Sequence, residues 1–533
     1  MTTPPPDAAP TAAGRSHRSA RPAAPRRGRD RRARVVPPPP GRAGISGEAP
    51  HTAVIGGGIA GLAAATALAE RGVRVTLYER EAGLGGRLSG RQVQLADGFR
   101  ATMTRGFHAF FRQYYNLRGL LRRADPALGM LTGLPDYPLR HSSGLRDSFA
   151  HVPRTPPWSA LGFALLSPTF TLREMARMNP RAALPLLDVR TPGVYERLDG
   201  VSARDFLDRI RFPEAAHHLA FEVFSRSFFA DPGELSAAEM ALMFHIYFLG
   251  SSEGLLFDVP DEPFPQALWE PLGRYLTGHG VSVHTGCAVE TVEPRPDGGV
   301  TVLGSHGAAR HDAVVLALDT AGLRGLVAAS PRLGDPDWRE RVRRLRTAPP
   351  FLVSRLWLDR PVAPDRPGFL GTSGFGALDN VSVLERWEGE AARWASRTGG
   401  SVVELHAYAL RTDTDRRAQQ DRLLDQLSRV YPETRGAKVV DAQHEWRADC
   451  PLFPVGGYQD RPTVRTPDPA VMVAGDLVRT DLPVALMERA ATTGFLAANA
   501  LLARWGVRGQ TLWTVPDRGR SAVLRGMARV AGA

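Results

Sequence analysis

The stretch from Thr52 to Arg87 constrains this chain more than any other. Thr52-Ala53-Val54-Ile55 is a short apolar run suited to a strand buried on both faces of a parallel sheet. It leads straight into Gly56-Gly57-Gly58-Ile59-Ala60-Gly61, which carries G-x-G-x-x-G at Gly56, Gly58 and Gly61. An alanine-rich stretch of helical composition follows from Leu62 to Arg71, then Gly72, then a second apolar run, Val73 to Tyr78, that ends in Glu79. Strand, glycine turn, helix, strand and terminal acid, in that order, are the layout of a dinucleotide-binding unit. Gly56 serves the tight turn, Gly58 the approach of backbone to a pyrophosphate, and Gly61 the close packing of helix on strand. The helix start, which Ile59 and Ala60 lead into, offers free N–H groups and a positive dipole end that suit phosphate. Glu79, with Arg80 beside it, stands where a carboxylate accepts hydrogen bonds from ribose hydroxyls.

A second glycine cluster, Gly83-Leu84-Gly85-Gly86-Arg87, follows the acid-tipped strand. A cation near a pyrophosphate makes electrostatic sense for any dinucleotide. The segment resembles the G-G-R segment of the amine oxidase and carotenoid desaturase superfamily of flavoproteins. The resemblance implies FAD, with Gly85 and Gly86 against the cofactor and Arg87 near its phosphates. It also implies that the Val289 backbone meets the adenine.

Two further segments carry the likeness. Gly106-Phe107-His108-Ala109-Phe110-Phe111-Arg112-Gln113-Tyr114-Tyr115-Asn116 is similar to a segment of plant-type phytoene and ζ-carotene desaturases that covers the flavin face. This implies a place beside the flavin for His108. Val471-Met472-Val473-Ala474-Gly475-Asp476, followed by Leu482 to Gly494, resembles the closing motif of the carotenoid desaturases. There Gly475 and Asp476 would meet the ribityl or phosphate region, and the Met487-Glu488 turn would approach the isoalloxazine ring. A helix start at that point stabilises negative charge on the reduced ring. Arg489 stands where the family usually has glycine.

The ends differ from the body. The first fifty residues hold ten arginines against Asp7, Asp30 and Glu48, with dense proline and alanine. Such a segment buries too little apolar surface to offset its ordering entropy and is read as a disordered, solvated tail. It carries +7 of the formal net charge of +12, so the high pI is no argument for nucleic-acid binding. It lacks the apolar core of a secretory signal peptide. The basic residues are arginines apart from one lysine, Lys438, a bias of GC-rich bacterial coding. Cys287 and Cys450 have no metal-like or disulfide spacing, the fourteen histidines are scattered, and no metal site is expected.

From Leu120 to Trp269 the pattern is mostly helical, and Ser202 with Asp205 forms a capping-box variant. Phe221 to Phe229 and Met240 to Leu249 are rich in large apolar side chains, which serve equally a helical core or the wall of an apolar tunnel. Gly250-Ser251-Ser252-Glu253-Gly254 matches G-x-S-x-G but follows a helix-like run, so it is no nucleophile elbow. Strand-like segments between Leu323 and Val440 read as ordinary sheet core.

The expected fold is α/β: a discontinuous Rossmann-type FAD-binding domain (51–100, 265–330 and 440–510) with a mixed α+β, largely helical substrate domain (101–264 and 331–439). Residues 1–50 and 511–533 are expected to be tails. Within the superfamily, Arg105 to Phe111 and Phe453-Pro454-Val455-Gly456-Gly457-Tyr458 look most similar to the β-carotene desaturase/methyltransferases of actinobacteria, which make isorenieratene. That resemblance implies β-carotene as substrate and a flavin oxidoreductase that aromatises the β-ionone ring with a 1,2-methyl shift. A proton acceptor is needed, with His108 and Glu488 as the catalytic candidates. Quinone or oxygen is expected as terminal electron acceptor, and no nucleic acid. The expected location is the cytoplasm, with peripheral contact to the inner face of the cell membrane as a further option. Two rivals stand beside this reading: a desaturase of an acyclic carotene or another amine-oxidase-type enzyme, and a non-catalytic prenyl-lipid carrier of the same fold. The intact set of Glu79, Gly86-Arg87 and Gly475-Asp476 argues against the carrier.

Overall fold

The computed structural model describes residues 30–167, 170–213, 216 and 229–532. Residues 1–29 of the expected tail, and most of the aromatic run Phe221–Phe229, lie outside the described residues.

The apolar runs read from the sequence assemble into a five-stranded sheet. Its order is Ser282–His284, Arg74–Tyr78, His51–Ile55, Ala313–Leu316 and Val471–Val473, and every pairing is parallel. The glycine turn lies at the carboxyl end of the central strand, where an open parallel sheet binds its ligand. Helix Ile59–Ala69 crosses from the central strand to Arg74–Tyr78 and is buried along its whole length. A helix apolar on all sides belongs between two layers, and its alanines keep those layers close. On its far side lies helix Leu486–Arg504. Gly494 makes that contact possible, because a Cβ there would stand 2.2 Å from the Ala60 carbonyl oxygen. A three-stranded antiparallel sheet, Val289–Pro294, Val300–Gly304 and Gly307–His311, flanks the nucleotide sheet.

The second half is mixed, as expected. Helices between Tyr115 and Phe244 pack on one side, among them Ala203–Ile210, whose first turn is closed by the Ser202 hydroxyl accepting from the Asp205 N–H at 3.0 Å. Opposite lies a seven-stranded sheet in the order Val439–Arg447, Phe351–Leu358, Ser401–Ala407, Asn380–Val383, Phe369–Ser373, Leu139–His141 and Arg146–Asp147. One face packs on helix Arg416–Val430 through Leu352, Leu356, Val403 and Leu405. The other face meets the hairpin Gly90–Gln94/Arg100–Thr104 through Phe351, Val353, Trp357 and Val402.

Three boundaries differ from the sequence reading. Val439–Arg447 pairs with Phe351–Leu358, so the chain is still in the substrate sheet where it was expected back in the nucleotide domain. From Asp30 onward the expected N-terminal tail is built into the body. Arg34–Val36 pairs with Leu512–Thr514, which removes the second expected tail as well. Composition averaged over fifty residues hides Val35 and Val36, and the pairing satisfies their backbone. Ion pairs Arg34–Asp517, at 2.5 Å, and Arg520–Asp30 fasten the two ends together. Gly250–Gly254 follows a π-helical turn, His245–Leu249, so the hydrolase motif lacks the strand it needs.

Replacing Gly494 with valine forces apart the two helices that bracket the glycine turn. Overpacking of this kind costs about 1–3 kcal/mol. Urea unfolding should show a lower midpoint with an unchanged slope.

Candidate active site

One cavity of about 1360 Å³ runs from the glycine turn into the second half. At the sheet end its wall is bare backbone. Gly56 has φ +106°, and a Cβ on it would lie 2.3 Å from the Ala317 carbonyl oxygen. Gly86 has φ +57°, and a Cβ on it would lie 3.0 Å from the Gly58 Cα. The two glycine segments are zipped together, with the Gly85 N–H donating to the Gly57 carbonyl at 2.8 Å. Helix Ile59–Ala69 begins here with no side-chain cap, so its first N–H groups are left for a ligand. Glu79 holds the turn: its carboxylate accepts from the Gly57 N–H at 2.6 Å and from the Glu81 N–H at 2.8 Å.

Nearly every residue expected at the cofactor lines this cavity: Gly56, Gly58, Ile59, Ala60, Glu79, Arg80, Gly85, Gly86, Arg87, Val289, Gly475, Asp476 and Met487. Gly61 does not. It serves packing instead, because a Cβ there would meet the Gly56 carbonyl at 1.9 Å. Arg87 and Asp476 form an ion pair at 2.6 Å. Helix Leu486–Arg504 also starts uncapped, with Leu486 and Met487 on the cavity wall. These features fit FAD. A glycine cradle that side chains would fill and two open helix starts suit a diphosphate and an electron-rich ring. Among the described residues, no three His, Cys, Asp or Glu side chains gather closely enough to hold a metal.

Beyond the cradle the wall becomes aromatic. Phe107 stacks on Phe369 with centroids 4.0 Å apart, Tyr137 lies 4.6 Å from Phe369, and Phe257 stands edge-on to Phe107 at 6.1 Å. His406, Tyr408 and Asn380 interrupt this lining on or beside strand Ser401–Ala407, and Glu404 of the same strand is bonded to His406. Glu404 accepts from Arg355 Nη2 at 2.9 Å and from the Phe107 N–H at 3.0 Å. His406 Nε2 lies 2.9 Å from Glu404, and its Nδ1 lies 2.6 Å from the Tyr408 hydroxyl. Asn380 Nδ2 donates to the same hydroxyl at 3.1 Å. Burial raises the Glu404 carboxyl, but Arg355 and His406 outweigh it and pull it down to about 2. His406, Tyr408 and Asn380 line the cavity. Sequence reading treated this strand as plain core. The visible signal was the alternation Glu404-x-His406-x-Tyr408, which places three polar groups on one face of a strand.

His108 also lines the cavity. Its Nδ1 donates to the Gly106 carbonyl at 2.9 Å, and burial, with a smaller push from His406, lowers it to about 4. It is therefore a neutral imidazole with its lone pair on Nε2.

Glu488 corrects the sequence reading. Its side chain is buried away from the large cavity, where its carboxylate accepts from the Asn116 and Leu117 N–H groups, each at 2.9 Å. It caps helix Tyr115–Leu121 and cannot reach a substrate in that cavity. Burial pushes it up to about 8 against the pull of those N–H groups. Arg489 has a buried partner in Glu239, at 2.9 Å, which also pairs with Arg461. It donates as well to the carbonyls of Val484, at 2.9 Å, and Asp476, at 3.2 Å, so it ties down the segment that carries Asp476.

Comparison with known proteins agrees with this geometry. The family model for flavin containing amine oxidoreductase matches residues 59–502. A carotenoid phi-ring synthase of Streptomyces griseus is 76% identical over 95% of this chain and 98% of its own length. Another protein of that name, from Chlorobaculum tepidum, is 27% identical over 87% of this chain and 90% of its own. Among solved structures, wild-type putrescine oxidase bound to putrescine is similar with a TM-score of 0.64 at 18% identity, covering 86% of this chain and all of the other.

The Glu488 carboxyl binds its proton more tightly folded than unfolded. Between about pH 4.5 and pH 8 the native chain holds a proton the unfolded chain has lost, so stability falls as pH rises through that window. Glu488→Gln should flatten that part of the profile, by up to about 1.4 kcal/mol per pH unit, in urea unfolding compared with wild type. It should leave the flavin spectrum and turnover in place.

Proposed function

This chain belongs to the family of flavin containing amine oxidoreductases and is an FAD-dependent oxidoreductase, and from that premise we propose that it converts β-carotene into a carotenoid with an aromatic φ-ring. The observation that carries the reading is the continuity of the cavity: the cofactor cradle opens into a lobe walled by the π faces of Phe107, Tyr137, Phe257 and Phe369. The name of the two relatives, carotenoid phi-ring synthase, supports the substrate class and the product.

FAD held in this cradle supplies a hydride acceptor for an allylic ring carbon. The protein supplies the rest. Gly58, Gly85, Gly86 and the first turn of helix Ile59–Ala69 would hold the pyrophosphate, Glu79 the ribose, and the start of helix Leu486–Arg504 the electron-rich end of the ring. The aromatic walls position an extended polyene and stabilise positive charge on it through their π faces. Exclusion of water keeps such a cation from capture and leaves the 1,2-methyl shift and proton loss as its exits. No separate methyl donor is required, since the migrating methyl comes from the geminal carbon of the same ring.

A polyene reaches this cavity from a lipid phase, and one surface helix suits that contact. Trp158–Leu166 exposes Trp158 (63%) and Leu165 (69%) to solvent. Its inward residue, Phe163, stacks at 5.0 Å on Phe149, which lines the cavity. We take this face as the site of peripheral membrane contact, with quinone or oxygen reoxidising the flavin. No helix among the described residues is long and apolar enough to cross a membrane.

The test is anaerobic: mix the purified protein with β-carotene in detergent, follow flavin bleaching, and separate the pigments by chromatography. The expected result is bleaching together with a product bearing aromatic rings. Bleaching by an acyclic carotene but not by β-carotene would replace the substrate. Absence of any flavin after reconstitution would leave a lipid carrier.

A further inference from the structure

Loss of hydride alone does not complete a desaturation. A carbon-bound proton must also leave, and with Glu488 turned away from the cavity the acceptor has to be sought elsewhere. The chain Arg355–Glu404–His406–Tyr408 at the edge of the aromatic lobe has the construction of an acceptor.

Its geometry comes from the sheet. Arg355 lies directly across from Glu404 on the neighbouring strand, and Asn380 directly across from His406 on the other side. The alternation of strand Ser401–Ala407 puts Glu404 and His406 on the cavity face, and Tyr408 follows at the strand's end. Gly106 closes over them. A Cβ on it would stand 2.3 Å from Glu404 Oε1 and 2.4 Å from His406 Nε2, so only glycine lets the loop that carries His108 seat on the pair. Tyr408 is fixed from three sides: its N–H donates to Asp379 at 2.6 Å, Asn380 donates to its oxygen, and its ring meets Phe229 edge-on at 4.8 Å. The next residue, Ala409, has φ +49°, a left-handed conformation that costs a non-glycine residue energy and persists only where surroundings impose it.

The hydrogen-bond directions then follow. The Glu404 carboxylate can only accept, so His406 Nε2 carries the proton toward it, and the Nδ1 of a neutral ring accepts from the Tyr408 O–H.

We propose that Tyr408 is the catalytic residue that takes the substrate's proton, with His406, Glu404 and Arg355 as the positioning residues that make it able to do so. The substrate C–H bond breaks and its electron pair becomes the new carbon–carbon double bond. The released proton bonds to the Tyr408 oxygen as that oxygen's own proton passes to His406 Nδ1. The resulting imidazolium is neutralised by Glu404, which Arg355 keeps ionised. Burial raises the Tyr408 phenol well above its ordinary value, so a standing phenolate is not the base and the two transfers are coupled. His108 lacks such an arrangement: its outward nitrogen has no carboxylate behind it, and its Nδ1 is committed to the Gly106 carbonyl.

The inference rests on the carotenoid reading given above, but only on its coarse part, because desaturation of any carotene releases a proton. The test compares wild type with Tyr408→Phe and His406→Gln, using whichever carotene bleaches the wild-type flavin. Glutamine keeps a donor toward Glu404 but cannot take up a proton. The readouts are flavin content, thermal unfolding, KM, kcat and the effect of deuterium oxide. Both variants should keep FAD and a cooperative unfolding transition, with KM unchanged and kcat lowered by about 10²-fold, the usual worth of a positioned acid–base group. Product formation by wild type should slow in deuterium oxide, and the residual turnover of Tyr408→Phe should not. Turnover at the wild-type rate in either variant overturns the proposal. Loss of FAD or of cooperative unfolding in both would assign the chain a purely structural role and overturn it equally.

Discussion

The contact between two glycine-rich stretches, Gly56–Gly58 and Gly83–Gly86, is the constraint on which the rest of the molecule depends. A hydrogen bond of 2.8 Å zips them together, and Gly58 faces Gly86 so closely that a single Cβ would intrude. Around it, the packing is organised to keep that surface open. Helix Ile59–Ala69 is alanine-rich because it is enclosed, and helix Leu486–Arg504 is drawn onto it at Gly494. Both helices therefore begin at the cavity, and both begin without side-chain caps. Two uncapped helix starts cost stability unless a ligand satisfies them. That fits a fold completed by its cofactor.

Charge is handled in two ways. The cradle presents backbone dipoles beside the Glu79 carboxylate and the Arg87–Asp476 ion pair. The substrate half buries whole ion pairs: Arg355 with Glu404, and Arg461 and Arg489 with Glu239. Removing one partner from such a pair typically costs about 3–5 kcal/mol, because the other is left charged in a poor solvent. These pairs do not favour the fold more than apolar packing would, but they hold particular atoms still. Arg489 fixes the carbonyl of Asp476 at the cofactor end, and Arg355 fixes Glu404 at the substrate end.

The cradle was legible in the sequence because it is local. Spacing within Thr52–Arg87 determines strand, turn and helix, and local order suffices to place Glu79 and Gly86. Glu488 was misread for a geometric reason. A motif match aligns residues along a helix but not around it, and a step of one residue turns a side chain by about 100°. Met487 faces the cavity, whereas Glu488 faces helix Tyr115–Leu121. The partner of Arg489 lies 250 residues away, so no pattern near Arg489 could reveal it. Glu404, His406 and Tyr408 were written in plain alternation, but on a strand so apolar otherwise that the pattern read as core. The ends were misjudged by averaging, since three paired residues at Arg34–Val36 are invisible in the composition of fifty.

The most direct measurement is a titration of the apoprotein with FAD, followed by flavin fluorescence and absorbance, for wild type and for Gly86→Val. The account predicts saturation of wild type at one equivalent. It also predicts a folded Gly86→Val chain that takes up none, because the new side chain occupies the space between the two glycine segments. Wild-type protein that binds no flavin, or a Gly86→Val chain that binds it as wild type does, would contradict the account.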